Sequence, residues 1–231
     1  MSHPAPRHLV AEGFVLAGGA SSRLGSDKSL VLLAQQPDDS DQQPLIARAV
    51  HLLRSVGLSV RIAGARDAAS SAAFAAFAPV LPDEYPGLGP LSGVQAALLA
   101  SRAEFNLFVP VDMPLVPHVL LAYLLRRAAI TRAPVTCLRA GGLLLPFPVV
   151  LHRSVLPAVR KALAHDASCF RLWQSFPAFD APRLESLLQS GQIPSDALAP
   201  ALWLQSVNTQ ADLVRLRHCF ALRAQYRTLK A

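Results

Sequence analysis

Apolar and polar positions alternate between two periods along roughly the first 140 residues of this 231-residue chain. Short apolar runs at Gly13 to Ala17, Ser59 to Ala63, Pro79 to Leu81, Phe105 to Val111 and Val135 to Arg139 predict strands. Between them lie stretches of helical period: Ile46 to Val56, the alanine-rich Ser71 to Phe77, Leu91 to Ser101 and His118 to Ile130. Parallel neighbours cannot be joined by a tight turn, so strand and helix in repeated alternation predict a parallel sheet with crossover helices. The expected fold is α/β, a single doubly wound, mostly parallel sheet flanked by helices. Past Gly141 the pattern is less regular. Leu143 to Leu151 predicts a further strand despite Pro146 and Pro148, and helices are expected at Ser154 to Ala164, Ser168 to Phe176 and Gln210 to Leu222.

A hydrophobic share of 52% with mean hydropathy +0.33 is ample for one core, and the reading is one domain over residues 13–222. Residues 1–12 are expected to be a flexible N-terminal segment and 223–231 a C-terminal tail. The segment Gln35 to Pro44, Q-Q-P-D-D-S-D-Q-Q-P, is polar and proline-flanked, and it reads as a surface insertion rather than a linker.

Ligands of such sheets collect beyond the carboxyl ends of the strands. The segment after the first strand is therefore informative: Leu16 to Lys28 reads L-A-G-G-A-S-S-R-L-G-S-D-K. Glycine lets backbone N–H groups approach a ligand closely, and Arg23 and Lys28 add full positive charge, a combination suited to phosphate. The chain has 19 arginines and three lysines, and one of the three falls here, where a compact ammonium would meet a triphosphate. Neither familiar glycine loop fits. A Walker A loop needs Gly-Lys-Ser/Thr in succession, and Gly25 is separated from Lys28 by Ser26 and Asp27; Gly18, Gly19 and Gly25 do not supply G-x-G-x-x-G.

This segment resembles the opening signature of the molybdenum cofactor guanylyltransferases. Three later segments resemble that family in order: Asp83 to Gly93, D-E-Y-P-G-L-G-P-L-S-G; Phe108 to Pro117, F-V-P-V-D-M-P-L-V-P; and Val207-Asn208-Thr209, with Gln210 where the family has proline. The resemblance spans residues 13 to 220. It implies a Rossmann-like nucleotidyltransferase fold, GTP and molybdenum-molybdopterin as substrates, and Mg²⁺ as cofactor. It also admits molybdopterin-delivering and molybdoenzyme chaperone proteins as partners. The implied reaction transfers GMP from GTP to the terminal phosphate of molybdopterin and releases pyrophosphate.

The resemblance assigns catalysis to Lys28, Arg23 and Asp112. It assigns nucleotide binding to Leu16, Ala17, Gly18, Gly19, Lys28, Asp83, Gly93 and Asp112, the metal to Asp112, and a pterin contact to Asn208. A strand-end aspartate is commonly a turn former; beside a phosphate loop it becomes a Mg²⁺ ligand, since Mg²⁺ takes one or two carboxylates and leaves the rest to water and phosphate. A carboxylate at Asp83 can accept from both N1–H and the 2-amino group of guanine, a donor pair that cytosine lacks. Gly87, Gly89 and Pro90 offer a second close-approach loop ahead of a helix. Ala63 stands where some relatives carry an asparagine that contacts nucleotide. Arg153, Arg160, Lys161 and Arg171 are further candidates for the pterin side, although they equally fit a solvated helix face.

Net charge +7 and pI about 10.0 raise nucleic acid as a ligand. The arginines are scattered rather than grouped, aromatics are 6%, and an anionic small substrate accounts for the excess, so no nucleic acid is expected. Cys137, Cys169 and Cys219 are too widely spaced for a zinc site and odd in number, and are expected to be buried thiols. Met1 to Gly13 has no apolar signal core and no run approaches the ~18 residues of a membrane span; no membrane association and a cytoplasmic location are expected. Two other functions stay open on the sequence: a cytidylyltransferase or other nucleotidyltransferase with a different phosphorylated acceptor, and a noncatalytic nucleotide-binding accessory protein.

Overall fold

The first predicted strand forms as β1 (Ala11–Leu16), and its residues from Gly13 onward are buried. Continuous rather than alternating burial means that both faces of the strand are covered. In the computed structural model of the chain, residues 10–17, 28–33, 43–65, 67–85, 87–165, 168–194 and 200–230 are described. After β1 the chain forms β2 (Leu32–Leu33), β3 (Gln43–Pro44), α1 (Leu45–Ser55), β4 (Ser59–Ala65), α2 (Ala68–Ala75), β5 (Val80–Pro82) and α3 (Pro90–Ala100). It continues with β6 (Phe105–Pro110), α4 (His118–Thr131), β7 (Val135–Ala140), β8 (Leu143–His152), α5 (Leu156–Ala164), α6 (Cys169–Gln174), α7 (Leu184–Gln189), α8 (Pro200–Trp203) and α9 (Gln210–Lys230).

Six strands make one sheet in the order β5-β4-β1-β6-β8-β7. Strands β5, β4, β1 and β6 are parallel, and β8 runs against both β6 and β7. The chain builds outward from β1 through β4 to β5, then crosses back to lay β6 on the other side of β1. That reversal is the topological switch point of a doubly wound sheet, where a crevice opens beyond the strand ends.

Helices cover both faces. A Cβ on Gly13 would lie 3.3 Å from Leu53 of α1, whereas the Leu16 side chain, three positions on and so on the opposite face, meets Gly93 of α3. Helix α4 packs beside α1 and α5 beside α3. Between sheet and α3, Phe14 stacks on Phe108 with ring centroids 5.3 Å apart and planes at 21°, both rings fully buried. Offset stacking of this kind adds about 0.5–1.5 kcal/mol to the burial itself.

The antiparallel part comes from a tight hairpin. Gly141 and Gly142 both have positive φ, 55° and 78°, the conformation a two-residue turn between twisted strands requires. Pro146 and Pro148 sit within β8 without breaking it, because the residues between Leu145 and Val149 fall in a gap of both ladders: β6 pairs only with Val149 to His152, and the β7 register shifts between Thr136 and Leu138. The outer edge of β7 is covered by residues 180–183: Cys137 and Arg139 N–H donate to the carbonyls of Asp180 and Pro182, both at 3.0 Å. Arg127 holds that segment through a bidentate pair with Asp180, at 2.7 and 3.1 Å.

The predicted elements all form, with ends shifted by a few residues. Among the described residues the additional elements are the 3-10 turn Lys28–Leu30, the short pair β2 and β3, in which Leu32 and Leu33 face Pro44 and Gln43, and helices α7 and α8. The expected insertion at 35–44 is described only at Gln43 and Pro44, and those belong to β3; the rest lies outside the described residues. Helix α9 continues past Leu222 to Lys230, into the expected tail. The three cysteines are buried and form no disulfide, and burial pushes the Cys137 and Cys169 thiols up to about 12. Among the described residues no helix is long and apolar enough to cross a membrane.

Candidate active site

At the switch point the carboxyl ends of β1 and β6 lie side by side, Leu16 opposite Pro110. Both chains run one residue further before turning: Ala17 N–H donates to the Ala63 carbonyl at 2.9 Å and Val111 N–H to the Leu16 carbonyl at 3.0 Å. Met113 N–H then bonds the Pro110 carbonyl at 3.2 Å, a turn that leaves the Asp112 side chain beyond the sheet edge. Lys28 begins a short 3-10 turn, Lys28–Leu30, that is fastened below by buried Ser29 and closed by the Val31 N–H on the Lys28 carbonyl at 3.2 Å.

These two turns bring opposite charges together across 84 positions of sequence. Lys28 Nζ lies 2.8 Å from Asp112 Oδ2, with side chains 13% and 18% exposed. The same ammonium donates to Asn208 Oδ1 at 2.9 Å. Asn208 reaches the site because its segment is tied on: Val207 N–H donates to the Asp112 carbonyl at 2.8 Å. Charge-assisted bonds of this length are about twice as strong as neutral ones, so the ammonium is oriented rather than merely nearby.

The pair borders a cleft of about 380 Å³. Strand ends Leu16, Ala17, Pro110 and Val111 line it together with Lys28 and Asp112; β8 contributes Leu145, Pro146 and Phe147, and Leu204 and Ser206 approach from the segment before α9. The gap in the β8 ladders is what makes that wall: β8 pairs with β6 only from Val149 onward, and the buried Trp173 of α6 holds the bend by donating Nε1–H to the Pro146 carbonyl at 3.0 Å. The cleft therefore has a charged end and an apolar end.

Of the residues the sequence singled out, Leu16, Ala17, Lys28 and Asp112 line this cleft and Asn208 joins it through Lys28. Gly18, Gly19, Arg23 and Asp27 lie outside the described residues. Asp83 follows β5 and is not among the lining residues; its Oδ1 accepts the Tyr85 N–H at 3.0 Å and a short bond from the Ser92 hydroxyl. Its Oδ2 has no hydrogen-bond partner among the described residues. Gly93 lies in α3 with its face against Leu16 and the Ala63 and Gly64 backbone; a Cβ there would lie 3.2 Å from Leu16, so it serves as a close-packing position between helix and sheet. Gly89 caps α3 with φ +74°, and Pro90 at the helix start reaches the cleft. Ala63 is fully buried in β4. Arg153, Arg160, Lys161 and Arg171 are exposed and do not line the cleft.

Sequence reading missed the apolar wall and two braces, Trp173 and Asp212. A signal existed for the second. Thr209-x-x-Asp212 just ahead of an amphipathic stretch is a capping box, and in the structure Thr209 N–H donates to Asp212 Oδ2 at 2.9 Å while Asp212 N–H donates to Thr209 Oγ1 at 3.2 Å.

The MobA-like NTP transferase domain matches residues 13–178 of this chain. A probable molybdenum cofactor guanylyltransferase from Carboxydothermus hydrogenoformans is 28% identical over 209 residues, 90% of this chain and 96% of that protein. A molybdenum cofactor guanylyltransferase from Xanthomonas euvesicatoria is 34% identical over 159 residues, 68% of this chain and 72% of that protein. Among solved structures, the molybdopterin-guanine dinucleotide biosynthesis protein A from Archaeoglobus fulgidus superposes with TM-score 0.73 at 18% identity, covering 90% of this chain and 97% of that one. The fold is shared, the switch-point cleft carries its charged pair where the matched domain lies, and the chain belongs to the MobA-like NTP transferase family, as a nucleotidyltransferase of the molybdenum cofactor guanylyltransferase kind.

Proposed function

We propose that this guanylyltransferase joins GMP from GTP to the terminal phosphate of molybdenum-molybdopterin with Mg²⁺ at Asp112 and Lys28 on the triphosphate. In the balanced step a phosphate oxygen of the acceptor bonds to the α-phosphorus of GTP, and the bond from that phosphorus to the bridging oxygen breaks to release pyrophosphate. The attacking oxygen is already anionic, so no side chain need remove a proton. The protein's part is to align two polyanions and neutralise their charge.

The donor set suits Mg²⁺. Asp112 is the one carboxylate lining the cleft among the described residues, and no cluster of three His, Cys, Asp or Glu occurs among them. An ion held by one carboxylate and completed by substrate phosphates and water needs no more. Mg²⁺ bound there supplies Lewis-acid stabilisation of charge on the phosphates and leaving group.

Lys28 is held ready between Asp112 and Asn208, and phosphate oxygens compete for the ammonium as they arrive. Leu16 and Ala17, which line the cleft, bind the nucleotide together with Gly18 and Gly19, and Asp83 Oδ2 is the acceptor for guanine. Gly93 contributes by letting α3 approach β1 closely, and Arg23 adds a second cation. The apolar end of the cleft, Leu145 to Phe147 with Leu204, takes the acceptor.

The observation that carries this reading is the 2.8 Å meeting of Lys28 and Asp112 at the mouth of the switch-point cleft. The test is pyrophosphate release with each of four nucleoside triphosphates, with and without molybdenum-molybdopterin, at varied Mg²⁺. Release with GTP that depends on both acceptor and metal supports it; preferential release with CTP, or none with any, overturns it.

A further inference from the structure

The catalytic lysine is supported from an unexpected distance in sequence. Asn208, which accepts from Lys28 Nζ, belongs to the irregular segment between Trp203, where α8 ends, and Gln210, where α9 begins. A segment of that kind would let its side chain wander unless something fixed it. Two anchors do so. Val207 N–H bonds the Asp112 carbonyl at 2.8 Å, and Asp212 Oδ2 gathers three donors: Asn208 N–H at 3.0 Å, Thr209 N–H at 2.9 Å and the Thr209 hydroxyl at 2.8 Å. Its other oxygen accepts from Arg215 at 2.9 Å. Asp212 itself lies in the first turn of α9, whose Leu213, Leu216, Cys219 and Phe220 are packed in the core.

The path from the core to the ammonium is thus short and made of strong bonds: buried face of α9, Asp212 carboxylate, Asn208 backbone, Asn208 carboxamide, Lys28 Nζ. We infer that Asp212 is a positioning residue for Lys28, its carboxylate fixing residues 207–209 so that Asn208 holds the ammonium against Asp112. A plain helix cap needs only the reciprocal Thr209–Asp212 bonds. The additional bond to Asn208 N–H, one residue ahead of the cap, immobilises the very residue that touches the catalytic group. The positioning role rests on the proposed roles of Lys28 and Asp112.

The test is a double-mutant cycle in the full chain with Asp212→Ala and Asn208→Ala, reading kcat/KM for GTP in pyrophosphate release, GTP affinity by calorimetry, and thermal unfolding. Each single variant is expected to lower kcat/KM and GTP affinity about tenfold, as loss of a group supporting a direct ligand does. The double variant should be no worse than the less active single one, because Asp212 acts through Asn208. Asp212→Asn keeps an acceptor oxygen for the backbone donors and is expected to restore most activity; if the alanine variant does not fold, Asp212→Ser, too short to reach the Asn208 N–H, takes its place with the same expected loss. Losses that multiply in the double variant, or an Asp212→Ala protein with lowered thermal stability and unchanged kinetics, overturn the inference. Asp112→Ala in the same assay separates the two levels. If it turns over like the parent protein, the reading of the site has failed; if it is inactive while Asp212→Ala is fully active, only the positioning role has.

Discussion

Two ion pairs sit at opposite ends of the parallel strands around β1, and they are similarly buried: 21% and 15% side-chain exposure for Arg61 and Glu12, 13% and 18% for Lys28 and Asp112. At the amino end, Glu12 of β1 takes a two-pronged bond from Arg61 of β4, at 2.6 and 2.7 Å, and its second oxygen also accepts the Ser101 hydroxyl at 2.8 Å. Arg61 in turn lies over the Phe14 ring, 5.2 Å from its centre. Partners, geometry and aromatic contact are all satisfied by protein. At the carboxyl end the cation is a lysine, a point charge on a flexible stem, shared between a carboxylate and a neutral amide beside an open cleft. The contrast shows that burial does not decide what an ion pair is for. A planar guanidinium locked in a fork resists exchange, whereas a compact ammonium can trade a carboxylate for a phosphate with little rearrangement.

The two ends of the sheet should differ most at Asp112. Replacing it with Ala is expected to lower kcat by at least about 10²-fold, the scale of losing a principal charge-stabilising group, with GTP binding much less affected. Equal losses in binding and turnover, measured by calorimetry and pyrophosphate release, would move Asp112 from transition state to ground state. Next comes Lys28→Arg, which keeps the charge and changes its shape. It is expected to lower kcat/KM about tenfold or more, since the fork favours a fixed bidentate partner, and activity equal to the parent would remove the distinction drawn between the two pairs.

At the other end the expected effect is on stability. Glu12→Ala leaves the Arg61 guanidinium without its partner and is expected to cost about 2 kcal/mol, below the range for fully buried pairs because both groups touch solvent. For a chain of this size that lowers the unfolding midpoint by about 4–8 °C. Steady-state rates well below that midpoint should be unchanged, and a kinetic defect at about 25 °C would mean that the two ends are coupled.

The smallest effect concerns pH. The Asn208 N–H, then the Thr209 hydroxyl and N–H, hold the Asp212 carboxyl below the usual carboxylate range. A group with a lowered folded-state pKa contributes its full stability above the unfolded value, about 4, and loses it as pH falls through the folded one. Asp212→Asn should therefore flatten the acid limb of stability below about pH 4 and leave its neutral part parallel to that of the parent. Thermal unfolding followed from acid to neutral pH measures this, and identical acid limbs would contradict it.

Much of the parallel half was legible because burial on both faces leaves unbroken apolar runs, as in Phe105 to Val111, and the glycine-rich segment after Leu16 has few alternative explanations. The Lys28–Asp112 meeting follows from topology: both residues come shortly after adjacent strands at a switch point. The contact between Asn208 and Lys28 was not legible, because nothing local says which group an isolated carboxamide will meet 180 positions away. The apolar wall stayed hidden for a related reason. Pro146 and Pro148 argue against a strand in isolation, and only the gap between two ladders explains why they are tolerated there. Gly93 carries a second meaning that its motif does not disclose: in a ligand-like stretch, its missing Cβ leaves the space that Leu16 fills.

In the proposed site Asp112 holds a divalent ion that also touches the nucleotide beside Lys28. Manganese in place of magnesium makes this measurable as Mn²⁺ is titrated into the protein with GTP, bound ion by electron paramagnetic resonance and its closeness to GTP by phosphorus nuclear magnetic resonance. A protein-bound Mn²⁺ that broadens the GTP phosphorus resonances is expected, and it is lost in Asp112→Ala while GTP still binds. The same bound ion, with undiminished affinity, in the Asp112→Ala protein would contradict it.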